Sequence, residues 1–178
     1  SHIDWQEVII FENNPDIKNI PGALQDKLFS SLHIALGVSY YKFYYATKMK
    51  LKMDISKEEA SFWNTVYQKG LGEFMYKNSL DPAQIATFSG NVQEKPALHR
   101  FKKNNRCLVG IGGGKDSIVS LELLKSAGFD ITGFNISSEN QNSLVNGVAE
   151  VAKIPNLKIQ RFLDRKVFEK HPYNGHVP

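Results

Sequence analysis

Residues 107–117 read Cys-Leu-Val-Gly-Ile-Gly-Gly-Gly-Lys-Asp-Ser, an apolar run leading straight into three glycines and the triplet Lys115-Asp116-Ser117. Consecutive glycines let the backbone approach a ligand closely and turn several N–H groups into one concavity. A helix opening at the end of the run adds its positive pole. The guest suited to that arrangement is a phosphate or pyrophosphate. Spacing narrows the type of loop. A Walker A loop counted from Gly110 would need its second glycine where Lys115 stands, and Lys115 is followed by Asp116 rather than by a hydroxyl residue. The dinucleotide fingerprint fails too: its third glycine falls on Lys115 when counted from Gly110 and on Ser117 when counted from Gly112.

The segment Gly112 to Ser117 resembles the Ser-Gly-Gly-x-Asp-Ser loop of the PP-loop ATP pyrophosphatases, which split ATP into AMP and pyrophosphate, at five of six positions. Gly112 stands where that loop has serine, which removes one hydroxyl donor and leaves the backbone cradle. Residue types then assign roles. Gly113 and Gly114 permit close approach, Ser117 donates to a phosphate oxygen, and Lys115 offsets negative charge. Asp116 would repel bare phosphate, so its expected use is to hold a Mg²⁺ ion bridging ATP oxygens. The bland alternative is a tight strand-to-helix turn with solvated charges.

The elements that must position this loop are legible around it. A strand ends at the glycines, a helix spans 117–127 and stops at Gly128, a strand covers Ile131–Ile136, a helix covers 142–153 before Pro155, and a strand covers Leu157–Phe162. This βαβαβ alternation predicts a parallel sheet with its ligand at the strands' carboxyl ends, the edge that carries Asn135, Ser137 and Ser138. In the PP-loop superfamily that strand end lies against the adenine, so the resemblance gives Asn135 and Ser137 a nucleotide role. About 60 residues follow the loop, fewer than a five-stranded doubly wound sheet needs. The domain is expected to be cut short, with a parallel edge to be covered by a partner, by further chain or by rearrangement.

Upstream, Ile3–Glu12 suits a strand. Leu24, Leu28, Leu32, Ala35 and Leu36 recur at helical spacing and predict a buried helix that Gly37 interrupts before the aromatic block Tyr40–Tyr45. Ser56-Lys57-Glu58-Glu59 predicts a capping box opening a helix that falters at Gly70, and Ile85–Phe88 predicts a strand. The fold class read here is α/β: a mostly helical α+β region over residues 1–100, then the start of a Rossmann-like parallel-sheet domain over 101–178.

Composition bounds the function classes. The chain has 178 residues, 22 basic and 18 acidic, for a net charge of +4, which suits a polyanionic small molecule as well as a nucleic acid. Cys107 is the single cysteine, which excludes an intrachain disulfide, a cysteine zinc cluster or a Cys-x-x-Cys pair. No run of about 18 apolar residues predicts a membrane span, and the expected compartment is the cytoplasm. The basic run Arg100–Arg106 reads as a solvated linker, with an RNA-binding patch as the alternative.

Four segments together resemble the bacterial UDP-N-acetylmuramoyl-L-alanyl-L-glutamate epimerases: Leu32–Lys42, Gln68–Asn78, Gly112–Ser117 and Asn174–Pro178. The resemblance spans most of the chain. It implies ATP- and Mg²⁺-dependent inversion of the terminal L-glutamate of the UDP-linked muramyl dipeptide, in a chain holding the N-terminal portion of such an enzyme. It offers His176, Lys115, Tyr40 and Glu73 for proton transfer or charge stabilisation, and Tyr41 and Lys42 for substrate binding. For each, a packing, capping or surface role is the competing reading. Two other functions stay open: a PP-loop enzyme acting on transfer RNA, and an adenine-nucleotide sensor without catalysis. A homo-oligomer or a missing C-terminal portion would complete the assembly.

Overall fold

The computed structural model describes residues 4–13, 15–92, 104–138, 143–173 and 175. His176 and residues 100–103 of the basic run lie outside them. In chain order the elements are strand β1 (Val8–Phe11), helices α1 (Gly22–Tyr44), α2 (Lys57–Gly70) and α3 (Gly72–Lys77), strand β2 (Arg106–Gly110), helix α4 (Lys115–Ser126), strand β3 (Asp130–Ser137), helix α5 (Ser143–Ala152) and strand β4 (Asn156–Phe162). Short 3-10 turns stand at Ile17–Asn19, Pro82–Gln84 and Arg165–Phe168. The class is mixed α/β, with five α-helices and one four-stranded sheet among the described residues.

The chain folds as two compact units that a single cut near residue 100 does not separate. The residues up to Asp16 join those from 104 to Asp164, and those from Ile17 to 92 join the stretch from Arg165 onward.

In the sheet unit the strand order is β1-β4-β3-β2. β2 pairs parallel with β3 from Arg106↔Asp130 to Gly110↔Phe134, and β3 pairs parallel with β4 from Gly133↔Asn156 to Ser137↔Gln160. The predicted βαβαβ order is therefore present. The outer edge of β4 is covered by β1, which runs antiparallel to it with Val8 opposite Phe162 and Phe11 opposite Ile159. The chain's own first strand thus protects the edge that the sequence left open. Glu7 of the approach to β1 forms an ion pair with Arg161 of β4. Ile111, Leu121, Val145, Ala149 and Ala152 form the core beneath the helices.

The helical unit is built on Ile34, Tyr41, Tyr45, Trp63, Tyr67, Phe74, Met75 and their neighbours. Two expectations are corrected. α1 does not stop at Gly37 but runs for 23 residues through the aromatic block. A Cβ on Gly37 would stand 3.4 Å from the Tyr67 hydroxyl, which donates to the Ile34 carbonyl at 2.8 Å. The glycine therefore makes room for a tyrosine on α2 and does not break the helix. α1 is also less buried than its spacing suggested, since Leu28 is half exposed.

Ile85–Phe88 forms no strand, although Ile85, Ala86 and Phe88 are buried. Its backbone is satisfied by side chains instead of a ladder. The Ala86 N–H donates to Tyr41 Oη at 3.0 Å. Asn64 bridges Phe88 on both sides, accepting from its N–H at 2.7 Å and donating to its carbonyl at 3.1 Å. The Ser56 capping box is present: its hydroxyl accepts from the Glu59 N–H, and the Glu59 carboxylate accepts from the Ser56 N–H. α2 ends at Gly70, as its sequence predicts.

Candidate functional site: the glycine loop

Ile111 fixes the start of the loop. It is 2% exposed, and its N–H donates to the Phe134 carbonyl at 2.8 Å, so the β2–β3 ladder continues one step past Gly110 before the chain turns away. Gly113 adopts φ +79°, a left-handed conformation that favours glycine. A Cβ added to Gly112 or Gly114 would meet nothing within 4 Å. The glycines therefore border open space rather than packed chain.

α4 begins at Lys115 with Gly114 as its N-cap and no side-chain cap. A side-chain cap would spend the first amides of a helix on the protein itself. Here its first turn keeps them and their positive pole for an external acceptor. Lys115 and Asp116 are exposed. Ser117 is half-buried, and its hydroxyl donates to the Gly114 carbonyl at 2.8 Å. Rotating that hydroxyl toward a phosphate oxygen exchanges one hydrogen bond for another, a charge-assisted and stronger one.

This geometry fits a nucleotide polyphosphate: an uncapped helix start, open glycines, one cation and one carboxylate. No cluster of three or more metal-binding side chains occurs among the described residues. A lone Asp116 suits Mg²⁺, which is bound through one or two carboxylates together with substrate phosphates and water.

Ser137, the last residue of β3, lies at the same carboxyl edge as the loop and is half-buried. Asn135 is 5% exposed, and its Oδ1 accepts from Asn156 Nδ2 at 3.0 Å. Asn156, at the start of β4, went unnoticed in the sequence. So did Gly133, where a Cβ would stand 2.5 Å from Ile111 Cδ1 and 3.1 Å from Asn156 Oδ1. A glycine inside a strand is the signal that marks such a close approach. Through these contacts Gly133, Asn135 and Asn156 seat the root of the loop.

The remaining candidates belong to the helical unit. Tyr41 is buried, donates to the Ala46 carbonyl at 3.0 Å and accepts from Ala86. Burial pushes its phenol above the ordinary tyrosine value, and the Ala86 N–H offsets part of that rise. Tyr40 and Lys42 are half-buried on α1 and engaged with neighbours. Glu73 is exposed at the start of α3 and pairs with Lys77 at 2.7 Å. The structure thus gathers the loop residues, Asn135 and Ser137 on one unit and Tyr40, Tyr41, Lys42 and Glu73 on the other.

Three curated relatives of one name match along most of the chain, at 32–37% identity. It is 37% identical over 153 residues to a UDP-N-acetyl-alpha-D-muramoyl-L-alanyl-L-glutamate epimerase of Xanthomonas oryzae, covering 83% of this chain and 33% of that protein. It is 33% identical over 156 residues to the Micromonospora protein of the same name, covering 85% of this chain and 34% of that protein. The chain therefore spans about a third of the length of these relatives. A shorter stretch of 33 residues is 62% identical to a tRNA-specific 2-thiouridylase of Thermoanaerobacter, covering 18% of this chain and 9% of that protein. No solved structure matches. The family model of the MurL N-terminal domain covers residues 2–178, and the chain belongs to that family.

Proposed function

We propose that this chain supplies the ATP-using part of an epimerase that inverts the terminal L-glutamate of a UDP-linked muramyl dipeptide in peptidoglycan precursor synthesis. The observation that carries this reading is the uncapped start of α4 beside glycines that face open space, in a chain whose long matches all bear that epimerase's name. The chemistry requires activation. The α-proton beside a free carboxylate is very weakly acidic, because its removal creates a dianion. Attack of the carboxylate on ATP gives an acyl adenylate and releases pyrophosphate. A base then removes the α-proton to an enolate-like intermediate, an acid returns a proton on the opposite face, and hydrolysis of the adenylate releases the inverted product and AMP.

Gly112, Gly113 and Gly114 admit the polyphosphate to the main chain, and the first amides of α4 donate to it. Lys115 and Ser117 neutralise and bind its oxygens, and Ser137 lines the nucleotide side at the end of β3. Asp116 would hold Mg²⁺, which when bound would supply neutralisation of the negative charge on the polyphosphate. Tyr40, Glu73 and His176 stand as the candidates for proton transfer, and Tyr41 and Lys42 for substrate contact. No helix among the described residues is long and apolar enough to cross a membrane.

The test is turnover in deuterium oxide by the polypeptide that carries this chain. Given ATP, Mg²⁺ and the dipeptide substrate, deuterium should enter the glutamate α-position, and pyrophosphate release should require the substrate. Glutamate that keeps its protium through turnover would sink the assignment. Asp116→Ala should lower pyrophosphate release by roughly a hundredfold or more, on the scale of removing one preorganised electrostatic contact. An unchanged rate would remove the metal role. The short thiouridylase match favours a second reading, action on transfer RNA. That reading predicts tight, strongly salt-dependent RNA binding.

A further inference from the structure

Lys48, Lys50 and Lys52 are exposed, while Met49, Leu51 and Met53 between and after them are partly buried against the core of the helical unit. The apolar side chains anchor the segment and leave the ammonium groups on its solvent side. The run leads into Ile55, 3% exposed, whose N–H donates to Asn91 Oδ1 at 3.1 Å and whose carbonyl accepts from the Asn91 N–H at 3.1 Å. From Lys42 to Asp54 the sequence contains four lysines and one acid. That acid, Asp54, accepts a hydrogen bond from the Asn91 side chain.

Among the described residues, Lys27, Lys77 and Arg161 each have a carboxylate partner, whereas Lys48, Lys50 and Lys52 have none. Three unneutralised cations on one anchored edge create a local positive potential that attracts a polyanion. We infer that the edge formed by Lys48, Lys50 and Lys52 receives the diphosphate of a nucleotide-linked substrate. The assignment rests on the epimerase reading, in which ATP occupies the glycine loop of the sheet unit and the substrate's own diphosphate needs cations of its own. Diphosphate oxygens each accept from an ammonium group. Single-stranded RNA would call for aromatic side chains between the cations as stacking platforms, and Met49, Leu51 and Met53 are instead turned against the core.

The experiment is calorimetric titration of the whole polypeptide that carries this chain with UDP and, separately, with ATP and Mg²⁺. It compares the unaltered chain with a triple variant, Lys48→Glu, Lys50→Glu and Lys52→Glu. UDP affinity should fall by roughly tenfold or more in the variant, while ATP affinity stays within about twofold. A second triple variant, lysine to arginine at the same positions, should retain UDP binding. Added salt should weaken UDP binding to the unaltered chain. Absence of UDP binding, or equal binding by the glutamate variant, overturns the assignment. Tighter binding of a single-stranded RNA oligonucleotide than of UDP, abolished in the same variant, would make the edge an RNA surface and also overturn it. Loss of ATP binding alone strikes the loop reading. UDP binding at the edge without epimerisation by the whole enzyme strikes the epimerase reading and leaves the edge standing.

Discussion

Gly90 in the helical unit and Gly112 in the sheet unit use the same residue for opposite ends. A Cβ on Gly90 would stand 2.6 Å from the Cα and N of Lys57, so that glycine lets one stretch of backbone press against another at the start of α2. A Cβ on Gly112 would meet nothing within 4 Å. Polar groups divide the same way. In the helical unit Tyr41, Tyr45 and Tyr67 donate to the carbonyls of Ala46, Asp81 and Ile34. In the loop, Lys115 and Asp116 are exposed. The core of the helical unit packs such residues inward to hold itself together, as Gly133 and Asn135 are packed beneath the loop, whereas Gly112, Lys115 and Asp116 face open space.

Matched substitutions give the sharpest way to break that contrast. Gly90→Ala forces main chain against main chain, and the expected loss is about 3 kcal/mol of stability, the upper range for overpacking. Gly114→Ala, where a Cβ likewise meets nothing within 4 Å, should leave the urea midpoint nearly unchanged and weaken ATP binding instead. Paired denaturation and ATP titration read both variants. A large stability loss at Gly114, or a neutral outcome at Gly90, would erase the distinction.

The next effect tests the tyrosines. Tyr41→Phe removes the acceptor for the Ala86 N–H, a residue 1% exposed, and the donor to Ala46. A buried donor left unsatisfied costs roughly 1–3 kcal/mol. Asn64→Ala should cost a similar amount, because both polar groups of Phe88 lose their partner. Urea denaturation of the two variants measures it. A loss of less than about half a kcal/mol for both would mean that segment 85–88 does not depend on side chains for its backbone bonds.

These contacts also explain what the sequence disclosed. The sheet unit was legible because β2, α4, β3, α5 and β4 follow one another with short connections, and Gly128 and Pro155 punctuate them. The place of β1 was not, since its partner β4 lies about 150 residues away and no local pattern encodes that pairing. Ile85–Phe88 has the apolar character of a strand, but Tyr41 and Asn64, distant in sequence, take its hydrogen bonds. At the site, the open loop on a helix start followed from residue type and spacing. The burial of Asn135 did not, because it depends on Asn156 across the neighbouring strand.

The smallest expected effect concerns an electrostatic contact inside the helical unit. Both carboxylate oxygens of Glu59 accept from Lys27 Nζ, at 2.8 and 2.7 Å, and one also accepts from the Ser56 N–H at 2.7 Å. Burial pushes this carboxyl upward, but the Lys27 ammonium and the Ser56 groups outweigh it and hold Glu59 below its ordinary value. A folded-state value below the unfolded one means that the ionised form stabilises the fold. The contribution is complete above the unfolded carboxylate range, near 4.3, and disappears as pH falls through the lower folded value. Glu59→Gln keeps a side chain able to complete the capping box and removes only the charge. With side-chain exposures of 36% for Lys27 and 29% for Glu59, solvent screening limits the expected cost to about 0.5–1 kcal/mol at pH 7. Urea midpoints of the two proteins should therefore differ at pH 7, draw together below pH 4 or so, and coincide once the native carboxyl is protonated. A gap that stays constant on acidification would show that Glu59 acts through shape and hydrogen bonding alone.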